Sequence, residues 1–137
     1  MKRHASLAHL SRDHHCALVL ASHACRHQND QALSDPVLQR FSTDWTQKIH
    51  PHFLEEERVL LPCLRRQGEE ALCAQTELEH EQLRQLAAQI LAGNTRLFPQ
   101  WGELMRRHVR FEEASLFARA EQVLTSAQLQ DVRTGGA

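Results

Sequence analysis

The chain has 137 residues, enough for one domain with a substantial core. Its 16 Lys and Arg against 17 Asp and Glu leave a formal net charge of -1, which provides no long-range attraction to nucleic acid or to an anionic membrane. No run reaches the roughly 20 apolar residues of a membrane span, and the opening "MKRHASLAHLSRDHH" lacks an apolar signal segment, so a cytoplasmic protein is expected.

Glycines and prolines are few and clustered, and no segment alternates with period two, so the elements are helices. The first begins at Leu7 or Ser11 and runs to Arg26 or His27, followed by the polar stretch "HQNDQALSDP". Ser34 or Asp35 then caps a second helix with Pro36 in its first turn. That helix is expected to kink near Pro51 and to be ended by Pro62 and Gly68. A third spans about Glu69 to Ala92, with "GN" at Gly93 and Asn94 as its stop. A fourth runs from near Pro99 to about Leu124. The tail, "TSAQLQDVRTGGA", adds one helical turn or two before a disordered end. These elements predict an all-α, up-down-up-down four-helix bundle over residues 1–124, with a C-terminal tail over 125–137.

Cys16, Cys25, Cys63 and Cys73 form no C-x-x-C and lie in helical segments, the pattern of reduced thiols that fill a core. The anomaly in composition is ten histidines beside five Phe, two Trp and no Tyr. Histidine is the commonest metal ligand, which directs attention to where these imidazoles fall.

In the second helix Trp45, Ile49, His52, Glu56, Val59, Leu60 and Cys63 share one face. In the fourth, Trp101, Leu104, Met105, His108, Glu112, Leu116 and Arg119 do the same. His-x-x-x-carboxylate occurs a third time as His9 and Asp13, but that pair falls opposite Leu18 and Ala21, with Cys16, His23 and His27, and reads as solvated. The other two pairs interrupt apolar stripes, where an unpaired carboxylate would cost several kcal/mol. In the third helix His80 lies beside Leu83, Leu86, Ala87 and Ile90. The first helix offers His14 and His15. A start at Leu7 centres its stripe on His14, whereas an N-cap at Ser11 leaves both histidines flanking it. Several imidazoles with two carboxylates, drawn from four helices, suit iron or manganese better than structural zinc or calcium.

At this point the chain resembles the hemerythrin-like (HHE cation-binding) domains. The resemblance rests on "SRDHH", "HFLEEERVLLP", "LEHEQL" and "HVRFEEASLF" on successive helices and covers about residues 7–124. It implies a four-helix bundle with a non-haem di-iron centre in its core, the two iron ions carboxylate- and oxo-bridged. His14 or His15, His52, His80 and His108 would be terminal ligands, and Glu56 and Glu112 the bridges. It further implies binding of O2 or a related small ligand such as NO or peroxide, in oxygen or redox sensing, iron handling or stress protection. Oxygen-carrying members have a second histidine four residues away on the third helix; Thr76 and Arg84 stand there here, leaving His15 as a candidate fifth nitrogen. Their last carboxylate is an aspartate five residues after its histidine, so Glu113 competes with Glu112.

Other readings fit less well. A ferritin-like site needs Glu-x-x-His twice, and Glu77 with His80 supplies it once, since Met105 precedes His108 by three. In "HEQLR" Arg84 stands where a zincin needs its second histidine. Cys16, His23 and His27 read as scattered exposed residues, and Arg65, Arg66, Arg106, Arg107 and Arg110 as solvated charges. Glu55 and Glu57 flank the stripe, solvated or orienting a ligand. A metal-free bundle with His–Glu core networks is the rival function, and peroxide breakdown at the same metals a third. The resemblance favours a metal- and ligand-binding protein over an enzyme, and leaves the oligomeric state open.

Overall fold

The structure, a computed structural model, describes residues 3–27 and 32–134, and among these every regular element is a helix. Residues 28–31, within the expected polar connection, and residues 135–137, the expected disordered end, lie outside the described residues. Among the described residues there are five helices where four and a tail were expected. A short 3-10 turn, Ala5–Leu7, leads into α1, Ala8–Cys25; the His4 ring nitrogen accepts from the Ser6 N–H at 3.0 Å at its start. The second helix, α2, is continuous over residues 35–66. It begins beyond the extended Ser34 with Pro36 in its first turn, as the sequence predicts. Next come α3, Glu70–Leu91, and α4 over residues 98–123. The tail folds as α5, Ser126–Arg133, started by a capping box between Thr125 and Gln128.

Two of these helices contain wide π turns. In α2 they are Trp45–Ile49 and Glu56–Leu60, and in α4 Glu112–Leu116. The π turns account for the prolines. Pro51 and Pro62 each fall in the first turn of the α-helical stretch after a π turn, His50–Glu55 and Leu61–Arg66. There the ladder is already rewired, with the His50 N–H donating to the Trp45 carbonyl and the Leu61 N–H to the Glu56 carbonyl. The expectation that Pro62 ends the helix is therefore corrected: the helix runs on to Arg66 and stops at Gly68, whose φ of 84° is a left-handed conformation.

The apolar core has two parts. One holds Ala17, Leu20, Phe41, Trp45, Ile49, Leu83, Ile90, Trp101 and Met105. The other holds Leu7, Leu10, Leu60, Leu61, Cys73, Leu116, Phe117 and Ala120, with Leu129 and Val132 of α5. Each of the four long helices passes from one part to the other, and at the crossing it carries buried polar groups: His14, His52 with Glu56, Thr76 with His80, and His108 with Glu112. No helix among the described residues is long and apolar enough to cross a membrane.

Where α1 and α4 cross, Gly102 is required. A Cβ there would lie 2.7 Å from the Ala24 Cβ and 2.8 Å from the Ala21 carbonyl oxygen, a backbone atom that cannot rotate away. Gly102→Ala gains up to about 1 kcal/mol of helix propensity but forces the helices apart at about 1–3 kcal/mol. The expected outcome is a net loss of about 1–2 kcal/mol in chemical denaturation; equal or greater stability would contradict the close crossing.

Candidate metal centre

The buried positions include Leu7 in the 3-10 turn and, on α1, Leu10, His14, Ala17, Leu20, Ala21 and Ala24. This is the stripe centred on His14 that a start at Leu7 predicts, except that Leu18, expected within it, is exposed. His14 thus faces inward and His15, one residue or about 100° further round, is exposed. The fifth nitrogen expected of His15 is not brought to the site.

On α2 and α4 the predicted stripes hold up to the glutamates and then shift. Glu56 and Glu112 each open a π turn. The extra residue rotates the rest of the helix, so Leu61 and Leu64 join Leu60 inside while Val59 is only partly buried. On α4, Phe117 and Ala120 enter the core. Arg119, expected on the buried face, is exposed and donates to Glu69 at 2.6 Å. His80, placed by the sequence beside the apolar face of its helix, is completely buried.

The inward side chains form two groups, His14, His52, Glu56 and Glu112, and Glu56, His80, His108 and Glu112; within each, one ligand atom per residue lies within 4.8 Å of the others. Both glutamates belong to both groups and divide their oxygens between them. Glu112 sends Oε1 to His14 Nε2 at 2.8 Å and Oε2 to His108 Nε2 at 3.1 Å. Glu56 sends Oε2 to His52 Nε2 at 3.2 Å and Oε1 to His80 Nε2 at 3.1 Å. His50 and His23 take no part; His50 stacks on Trp45 at 5.5 Å.

Behind each imidazole stands another carboxylate, which accepts from its Nδ1–H. The pairs are His14 with Glu113 at 2.8 Å, His52 with Asp13 at 3.1 Å, His80 with Glu57 at 2.6 Å and His108 with Glu79 at 2.7 Å. A carboxylate at Nδ1 fixes the tautomer that leaves Nε2 free to ligate. Glu112 is therefore the inner and Glu113 the outer member of "FEE". Of the pair read as solvated, Asp13 is exposed but backs His52, and His9 is partly buried and meets Glu55 at 2.8 Å. Glu79 escapes the sequence reading because no spacing within one helix reports a contact between α3 and α4; its only sequence signal is that it precedes His80.

The site fits a metal ion on the state of its polar atoms. His52 Nε2, His80 Nε2, His108 Nε2, both Glu56 oxygens and Glu112 Oε2 are buried with no hydrogen-bond partner. They approach one another closely enough to attract but are not aligned for N–H···O bonds, as expected of donors that face a common cation. Burial alone would depress the imidazoles, but hydrogen bonds and charge from Glu112 and Glu113 override it and raise His14 to about 9. Glu112, Glu56 and Glu57 likewise raise His80, to about 11. His52 is raised well above its ordinary 6.5 by Glu56 and Asp13 against the same burial. Glu112 is held well below the carboxylate range, its burial outweighed by His108, His14 and His52.

The family model of the hemerythrin HHE cation-binding domain matches residues 6–120, and the chain belongs to that family. No curated protein and no solved structure matches it.

Metal and protons compete for the same nitrogens. A raised imidazole pKa contributes stability that is complete below 6.5 and lost, for His14, as pH rises through about 9. The metal-free protein should thus lose melting temperature between pH 6.5 and 9, while its affinity for a divalent cation rises over the same window and uptake releases protons. Calorimetric titration in buffers of different ionisation enthalpy measures the release; no proton release at about pH 7 would refute the competition.

Proposed function

We propose that this member of the HHE family holds two iron ions and binds O2 or a related small ligand, NO or peroxide. The observation that carries the reading is the division of both Glu56 and Glu112 between two pairs of histidines. His14 and His52 would be terminal ligands of one ion and His80 and His108 of the other, with both carboxylates bridging. The donors are imidazole and carboxylate without thiolate, a set that suits iron. Two nitrogens and two carboxylate oxygens per ion leave coordination positions open for a small exogenous ligand. Ferrous ions at such a centre supply the electrons for reversible binding or reduction of oxygen species.

The chain's own residues prepare the site. Asp13, Glu57, Glu79 and Glu113 orient the rings, and Phe53 and Phe117 stack on His80 and His14, covering them with apolar surface. The long helices alternate in direction between the two core parts, which supports an up-down-up-down four-helix bundle with α5 appended. Four unpaired thiols suit a reducing cytoplasm. Oxygen or redox sensing, iron handling and stress protection all use such a centre. A metal-free hydrogen-bonded core fits less well, because it leaves six inward atoms unsatisfied.

Protein purified from iron-replete cells should contain about two irons per chain by elemental analysis, the count given by two bridged pairs of histidines, and chelation should lower its melting temperature. Glu56→Ala should lose both ions, His108→Ala at least one, and His15→Ala and His23→Ala none. Less than about one iron per chain, or equal iron in all four variants, defeats the assignment.

A further inference from the structure

Two of the four inward imidazoles are held by a closed ring of contacts, and each ring contains an arginine. Around His80, Glu57 accepts from Nδ1 at 2.6 Å, and Phe53 lies parallel to the imidazole with centroids 4.0 Å apart. Arg84 completes the ring by donating to both Glu57 oxygens, at 2.9 and 2.8 Å, with its guanidinium carbon 5.9 Å from the centroid of Phe53. Around His14 the same parts recur from other elements. Glu113 takes Nδ1 at 2.8 Å and Phe117 stacks at 5.3 Å, 4° from parallel. Arg3 donates to the Glu113 carbonyl at 2.8 Å, approaches its carboxylate at 3.6 Å, and lies 5.7 Å from the Phe117 centroid.

His52 and His108 have no such ring. His52 is backed by Asp13, whose side chain is 47% exposed, and His108 by Glu79; neither carboxylate meets an arginine among the described residues. Each group of inward ligands therefore has one arginine-locked imidazole and one without a cation behind it. The two locks differ in grip: Arg84 takes both Glu57 oxygens, whereas Arg3 reaches one Glu113 oxygen at 3.6 Å and is itself tied to Glu121 at 2.5 Å. Arg84 stands in the middle of a 22-residue helix, whereas Arg3 lies ahead of α1, joined to it by a three-residue turn.

We propose that Arg84 and Arg3 are positioning residues, each acting through one glutamate and one phenylalanine on a single imidazole, and that the ion at His14 and His52 exchanges before the ion at His80 and His108. This rests on the two-iron reading. An arginine fork restrains both carboxylate oxygens, so the glutamate cannot swing and the imidazole it holds stays aimed at the ion. At His14 the Glu113 carboxylate is held by the Ser11 hydroxyl, 2.8 and 3.0 Å from its oxygens, while Arg3 grips the Glu113 carbonyl and comes no nearer than 3.6 Å to the carboxylate; without a fork, that half of the site loosens first.

The test is release of ferrous iron from the anaerobic, fully loaded protein to a coloured chelator. Wild type should release its two ions in two phases. Arg3→Gln should quicken the fast phase by about tenfold or more and Arg84→Gln the slow phase, in line with the usual effect of losing a partner behind a metal ligand. Arg84→Lys, which keeps the charge without the fork, should recover part of the loss. Arg119→Gln, which removes an arginine–glutamate pair elsewhere on the surface, should alter neither phase. Melting temperatures of the metal-free variants separate an effect on the site from one on the fold; were Arg84→Gln to fail to fold, Glu57→Gln makes the same test. Wild-type protein that takes up fewer than two ions even when saturated with ferrous iron would defeat the underlying two-iron reading. Two ions with release unchanged in both arginine variants would overturn the positioning role alone, and a single phase throughout would overturn the order of exchange.

Discussion

Two carboxylates without access to water, Glu56 and Glu112, are the constraint around which the protein is arranged. A buried carboxylate without compensating partners would cost several kcal/mol or take up a proton. Here each is surrounded by imidazole nitrogen, and each imidazole is in turn backed by another acidic group. The polar layer that results crosses all four long helices at one level. It splits the hydrophobic core into the two parts that flank it.

Backbone geometry is part of the same arrangement. Glu56 and Glu112 are each the first residue of a π turn, and the carbonyl of each accepts from the N–H five residues on. A π turn weakens the local ladder, and such turns concentrate at functional sites. In this chain the turn advances the helix face by one residue just after the glutamate. Each glutamate keeps the ordinary four-residue spacing from its histidine, while past the turn both Leu60 and Leu61 on α2, and both Leu116 and Phe117 on α4, are buried beside the layer.

This explains which parts of the structure are legible in the sequence. The long helices and the histidines and glutamates that interrupt apolar stripes follow from a period of 3.6, which holds over most of the chain, and two helix ends are marked by Pro36 in a first turn and by the positive φ of Gly93. Arg119 and Pro62 defeat that period because a π turn leaves no mark in the hydrophobic pattern before it; only the shifted stripe beyond it, ending in Ala120 in place of Arg119, records the extra residue. His15 and His14 could be separated only by the helix start, and Ala5–Leu7 fixes that start through a turn capped by a histidine, an uncommon cap. Asp13, Glu79 and the arginine locks are contacts between helices, and a single sequence does not contain their pairing.

The charge arrangement ties the acidic surroundings to the metal. Two inner and four outer carboxylates meet four imidazoles, with Arg84 and Arg3 set against Glu57 and Glu113. With all four imidazoles protonated the cluster carries the same total charge as it would with neutral imidazoles and two divalent cations. The fold can therefore exchange its protons for the two proposed ions without a change in the net charge it buries. A purely structural histidine–glutamate network would need neither the unaligned Nε2 atoms nor both oxygens of each glutamate divided between two groups. A site that alternates between protons and cations needs both, because its nitrogens must face the same point in either state.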